Sequence, residues 1–132
     1  MRKVYFDSAA TTQVRKEVIE KMTQVMSECY GNPSSTHAFG RAAKTLIEQA
    51  RKDVAKHLNV SAGEIIFTSG GTEADNLAIC SSVKDLGVTR IITSRIEHHA
   101  VLHTVQEMQD KHNVTVDYVN LKDCGSIDSS HL

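Results

Sequence analysis

The sequence predicts an α/β fold with a mostly parallel sheet and flanking helices. Two observations carry this reading. From residue 64 onward, short apolar runs at strand length alternate with runs at helical spacing. Glycine and polar breakers separate these runs, and strands alternating with helices imply βαβ units with right-handed crossovers.

Each element follows from its residues. Val4-Tyr5-Phe6 reads as a short strand leading into the small, polar stretch Ser8-Ala9-Ala10-Thr11-Thr12. Val14, Val18, Ile19, Met22, Val25, Met26 and Cys29 recur at helical spacing and predict a helix of about four turns. Tyr30-Gly31-Asn32-Pro33 ends it. A second helix is expected from near His37 to His57, with Phe39, Ala42, Ala43, Leu46, Ile47, Ala50, Val54 and Leu58 as its apolar stripe. The expected alternation is then strand 64–67, helix 72–86, strand 90–94, helix 99–111 and strand 114–119. Gly125-Ser126-Ile127-Asp128 reads as a turn followed by the cap of another helix. The chain stops as that element begins, and a three-stranded parallel sheet is a poor end point for an independent fold. A fragment is therefore expected, with an N-terminal arm or strand over 1–13 and the first part of a larger domain over 14–132.

Bulk properties narrow the function classes. The 132 residues include 40% hydrophobic and 23% charged side chains, the balance of a globular protein. Fifteen basic against 16 acidic residues give a net charge of -1 with no basic stretch. Nucleic acid and membrane surfaces are therefore not expected as partners. No apolar run reaches membrane-spanning length, and Met1-Arg2-Lys3 does not lead into a secretory signal. Cys29, Cys80 and Cys124 are scattered and odd in number, which suits a reduced, cytoplasmic compartment.

The segment Thr68-Ser69-Gly70-Gly71-Thr72-Glu73 holds the most chemistry. Strand, glycine turn and helix start together offer unpaired backbone N–H groups and a favourable dipole to an anion. The pattern is neither GxGxxG nor GxxxxGK[ST], so a phosphorylated ligand other than a nucleotide is indicated. An ordinary tight strand–helix turn also uses Gly-Gly, and both readings stand at this point. Glu97-His98-His99 follows the strand at 90–94, where a histidine can stack on an aromatic ligand or act as an acid or base. A surface histidine at a helix start explains the same residues. His99 and His103 lie four apart, yet no third ligand or HExxH pattern accompanies them, so no metal site is expected. The loop Gly31 to His37 reads either as a helix connection or as a binding loop. Cys124 lacks a basic neighbour in sequence and is not expected to be a nucleophile.

In this order, the motifs YFDSAATT (5–12), GNPSSTHAFGRAA (31–43), IIFTSGGTEADNLAI (65–79), RIITSRIEHHAVLHT (90–104) and GSID (125–128) resemble the N-terminal part of group I cysteine desulfurases. These NifS/IscS-type enzymes are class V aminotransferases of fold type I that use pyridoxal 5′-phosphate (PLP). The resemblance implies the N-terminal part of their three-layer, aspartate aminotransferase-like large domain. It also implies that Gly71 and Thr72 hold the PLP phosphate, and that His98 stacks on the cofactor ring and assists proton transfers. Gly71 stands where the family more often has alanine. Ala10, Thr11, Asn32 and His37 would border the substrate pocket.

The implied reaction converts L-cysteine to L-alanine and leaves a persulfide sulfur for iron–sulfur cluster or thio-cofactor assembly. The implied partners are L-cysteine, a sulfur-acceptor or scaffold protein, and a second copy in a homodimer. The family's Schiff-base lysine and nucleophilic cysteine have no counterpart among these 132 residues, so the chain by itself is expected to be inactive. Two alternatives are another PLP lyase, such as a selenocysteine lyase, and a truncated, non-catalytic paralogue serving as an interaction module.

Overall fold

The computed structural model describes residues 3–132; Met1 and Arg2, the first residues of the expected arm, lie outside the described residues. The chain forms two compact units, one ending at Ile66 and one spanning Phe67–Leu132.

The first unit contains α1 (Lys16–Glu28), α2 (Ala38–Leu58) and a 3-10 turn at Ala62–Glu64. Val4-Tyr5-Phe6 is not a strand among the described residues, which corrects the sequence expectation. The segment folds back locally instead. The Tyr5 hydroxyl donates to the carbonyls of Asp7 and Thr11 at 2.9 and 3.1 Å, closing a turn in which the Ala10 amide also donates to Asp7. Strand character requires a pairing neighbour as well as apolar, β-favouring residues.

The helix α1 follows its periodicity, but it buries no residue among those described. Its apolar stripe of Val18, Ile19, Met22 and Met26 is exposed. Lys16–Glu20 and Gln24–Glu28 pairs lie along the helix at 3.5 and 3.0 Å, each contributing about 0.2–0.5 kcal/mol.

The connection to α2 is tight. A Cβ added at Gly31 would sit 2.4 Å from the Phe39 carbonyl oxygen, and one at Gly40 2.3 Å from that of Ser35. Only glycine lets the loop lie this close to the first turn of α2. Tyr30 stacks on Phe39 with ring centroids 5.6 Å apart, holding the same junction from its other end. Asn59, in the left-handed conformation, terminates α2.

Residues 65–67 also correct an expectation. Glu64 closes the 3-10 turn, and residues 65–67 belong to no strand among the described residues. Ile65 has strand-like angles (φ -96°, ψ 119°), and its carbonyl accepts from the Arg51 guanidinium of α2. The local conformation is the one the apolar run predicts; a hydrogen-bonded ladder is missing among the described residues.

The second unit contains α3 (Gly71–Lys84), β1 (Arg90–Ser94), α4 (His99–His112), β2 (Thr115–Val119) and a 3-10 turn at Ser129–His131. The strands β1 and β2 pair in parallel from Arg90↔Thr115 to Ser94↔Val119, with α4 as the crossover. Val83 of α3, Met108 of α4 and Val114 before β2 form the core, against Ile79, Cys80, Ile91 and Val116. Met108 is fully buried. The closing GSID turn matches its sequence reading. Gly125 has φ +80°, and Asp128 caps the last turn by accepting from the Ser130 amide and hydroxyl at 3.1 and 2.6 Å.

Candidate functional site

The helix α3 begins in a way that leaves donors free. Gly70 is its N-cap and, having no side chain, offers no cap acceptor. The first intrahelical bond runs from the Ala74 amide to the Gly70 carbonyl at 3.1 Å. The amides of Gly71, Thr72 and Glu73 therefore point out of the helix start without intrahelical acceptors. Thr72 is exposed among them. A Cβ at Gly71 would meet nothing within 4 Å, so alanine fits there and the amide rather than the missing side chain is the useful feature.

Glu73 stabilises this start from behind. Its Oε2 accepts from the Ser69 amide and the Ser69 hydroxyl, both at 2.7 Å. The Ser69 amide, and then its hydroxyl, hold the Glu73 carboxyl below the usual glutamate range. A depressed folded-state value means that the associated stability is present above the unfolded value and is lost as the pH falls through the folded one. The Ser69 amide shift is accordingly expected to titrate with a midpoint below the ordinary glutamate value of about 4.3. Glu73→Gln should abolish that transition; a midpoint at or above the ordinary value would refute the assignment.

The start of α4 is instead capped by a side chain, that of His98. It is the N-cap, with φ -63° and ψ 150°, and its Nδ1 accepts from the Ala100 amide at 3.2 Å. An accepting Nδ1 places the ring proton on Nε2 and fixes the plane of the imidazole. His98 is exposed, so the ring face and Nε2–H remain accessible.

The starts of α3 and α4 lie at the same end of the unit. Asn76, sixth in α3, bonds Thr104, sixth in α4, while Ile79, Cys80 and Val83 further along α3 pack with Met108 further along α4. The helices therefore run side by side in the same direction. This brings Gly71, Thr72 and His98 to one end of the unit. The hydroxyl of Ser94, at the carboxyl end of β1, is buried without a hydrogen-bond partner among the described residues.

Ala10, Thr11, Asn32 and His37 all belong to the first unit. Ala10 and Thr11 are exposed in the folded-back arm. Asn32 Oδ1 accepts from the Ser34 amide at 2.9 Å, shaping its own turn. His37 caps α2 by accepting from the Gly40 amide at 3.4 Å, the same role that His98 has in α4.

Two features escape the sequence reading. Asn76 and Thr104 join the two helices, and the available signal was Thr104 itself, a polar residue within the buried stripe Ala100, Thr104 and Met108. Charged neighbours alone do not describe the setting of Cys124. Ser126 lies 3.2 Å away, and its hydroxyl, then its backbone, lower the thiol's proton affinity. His99 and His103 have ring centroids 5.3 Å apart, but among the described residues no group of three or more metal-binding side chains comes together.

With this geometry in place, the comparisons with known proteins decide the family. The family model described as aminotransferase class-V matches residues 4–132. The chain belongs to the aminotransferase class-V family. This class-V chain is 43% identical over 136 residues to the putative cysteine desulfurase IscS 1 of Bacillus subtilis, an alignment covering 100% of this chain and 35% of that protein. Among solved structures it is similar to a NifS-like protein, with TM-score 0.86, 40% identity, and coverage of 98% of this chain and 36% of the other. It is also similar to a structure described as SspA in complex with cysteine, with TM-score 0.81, 36% identity, and coverage of 96% and 37%. The class-V chain thus spans about a third of the length of the relatives it matches. Among the described residues, no helix is long and apolar enough to cross a membrane.

Proposed function

We propose that this chain supplies the phosphate cradle and ring-stacking histidine of a PLP-dependent cysteine desulfurase. The observation that carries the proposal is the uncapped start of α3 at the same end of the unit as His98. Three free amides and the helix dipole suit a phosphate dianion, and the Thr72 hydroxyl adds a donor. The Nδ1 bond to Ala100 holds the His98 ring so that it can lie against a flat heteroaromatic ring and present Nε2–H.

Bound PLP supplies an electron sink for chemistry at the amino-acid Cα. This chain's residues bind and orient. Gly71, Thr72 and Glu73 hold the phosphate through their amides, while His98 sets the cofactor's tilt and carries a proton at Nε2. The proposed reaction of the complete protein takes L-cysteine to L-alanine and hands its sulfur to an acceptor or scaffold protein. A homodimer in the cytoplasm is part of the same reading. The relatives' names and the cysteine in the SspA structure support the substrate assignment.

Titration of the 15N-labelled protein with inorganic phosphate tests the cradle. The largest amide shifts are expected at Gly71, Thr72 and Glu73, with His98 little affected. Pyridoxamine 5′-phosphate, which lacks the aldehyde and cannot react with surface lysines, should perturb His98 as well. Saturating phosphate without a response at these three amides would refute the proposal.

A further inference from the structure

The link between α3 and α4 has a consequence for the site. Thr104 is only 6% exposed, and its hydroxyl shares its single proton between Asn76 Oδ1 on α3 and the Ala100 carbonyl within α4, the latter at 2.8 Å. Ala100 is the residue whose amide donates to His98 Nδ1. A continuous path therefore runs from α3 through Asn76, Thr104 and Ala100 to the His98 ring. Each end of the bridge lies five residues beyond its helix start, a rise of about 7.5 Å on both sides. The bridge is thus level with respect to the two starts. Helix packing alone permits sliding and rotation within the scatter of packing angles, whereas a directional bond from the buried Thr104 hydroxyl to the half-buried Asn76 selects one arrangement.

We propose that Asn76 and Thr104 are positioning residues that set the spacing between the α3 phosphate cradle and the His98 ring. The inference rests on the PLP reading of the site. A ligand that uses the cradle alone does not depend on this spacing. One that engages both the cradle and the ring does.

The test compares two probes, inorganic phosphate and pyridoxamine 5′-phosphate, by calorimetry on the parent protein and on Thr104→Val, Thr104→Ser, Asn76→Ala and the double variant. Valine preserves the shape of threonine and removes the hydroxyl. Thr104→Val and Asn76→Ala are expected to weaken pyridoxamine 5′-phosphate about tenfold and to leave phosphate within about twofold. Thr104→Ser should recover most of the loss. The double variant should be no weaker than the worse single variant, since both remove one bond.

Unchanged pyridoxamine 5′-phosphate affinity in Thr104→Val and Asn76→Ala would overturn the proposal. Equal weakening of both probes together with a lowered melting temperature would overturn it too, by reducing the pair to a stability role. A parent protein that binds neither probe would refute the PLP reading itself, and the positioning role with it.

Discussion

Under the proposed desulfurase function, His98→Ala in the complete protein is expected to lower alanine formation from L-cysteine by about 10²–10⁴-fold, the range contributed by a positioned acid–base side chain. The substitution also removes the Nδ1 acceptor for the Ala100 amide. Loss of a helix cap costs about 0.5–2 kcal/mol, so an activity loss could follow from a disturbed α4 alone. His98→Asn separates the two effects. Asparagine is a favoured N-cap and can accept from the same amide, but it has no imidazole to stack or to carry the proton. Near-parental stability with severely reduced turnover and an altered cofactor absorption spectrum is expected for His98→Asn. Parental turnover in that variant would remove His98 from the chemistry and leave it as a cap.

Met108→Ala should produce the largest loss of stability in the second unit. Met108 is 0% exposed and packs with Val83 and Val114, beneath Ile79, Cys80, Ile91 and Val116. Truncating a fully buried methionine costs about 2–5 kcal/mol through lost burial and the cavity left behind. Domains are stable by only about 5–15 kcal/mol in total, so this is a large fraction. Because Met108 joins α4 to α3 and to the strands, amide exchange should accelerate across β1, β2 and both helices together. A change in the urea midpoint equivalent to less than about 1 kcal/mol would mean that the site collapses without a cavity.

The helices and the paired strands were legible because their periodicity reports local geometry. The strand at 90–94 and the helix beginning at His99 agree with the structure to the residue. Residues 4–6 and 64–67 were misread because apolar, β-favouring side chains report only extended tendency. Whether a ladder forms depends on a neighbour that a local pattern cannot name. The arm shows the alternative, with Tyr5 bonding back to Asp7 and Thr11. At the candidate site, Gly71, Thr72 and His98 are singled out by the glycine turn, the histidine pair and the family resemblance, and their roles are proposals. The capping role shared by His37 and His98 was not legible, because histidine is not among the residues commonly expected at an N-cap.

By itself, the sequence determined the alternating α/β order, the family and the residues at the starts of α3 and α4. These depend on side-chain type and short-range spacing, which the chain carries directly. Only the tertiary structure decided how those residues are held. It showed that Gly70 leaves the α3 amides uncapped while Glu73 secures Ser69, that Nδ1 of His98 is committed to Ala100, and that Asn76 and Thr104 join the two helices. The reason is physical. A donor is free or committed according to what lies within about 3 Å of it in space, and residues 28 positions apart, such as Asn76 and Thr104, become neighbours only when the helices pack.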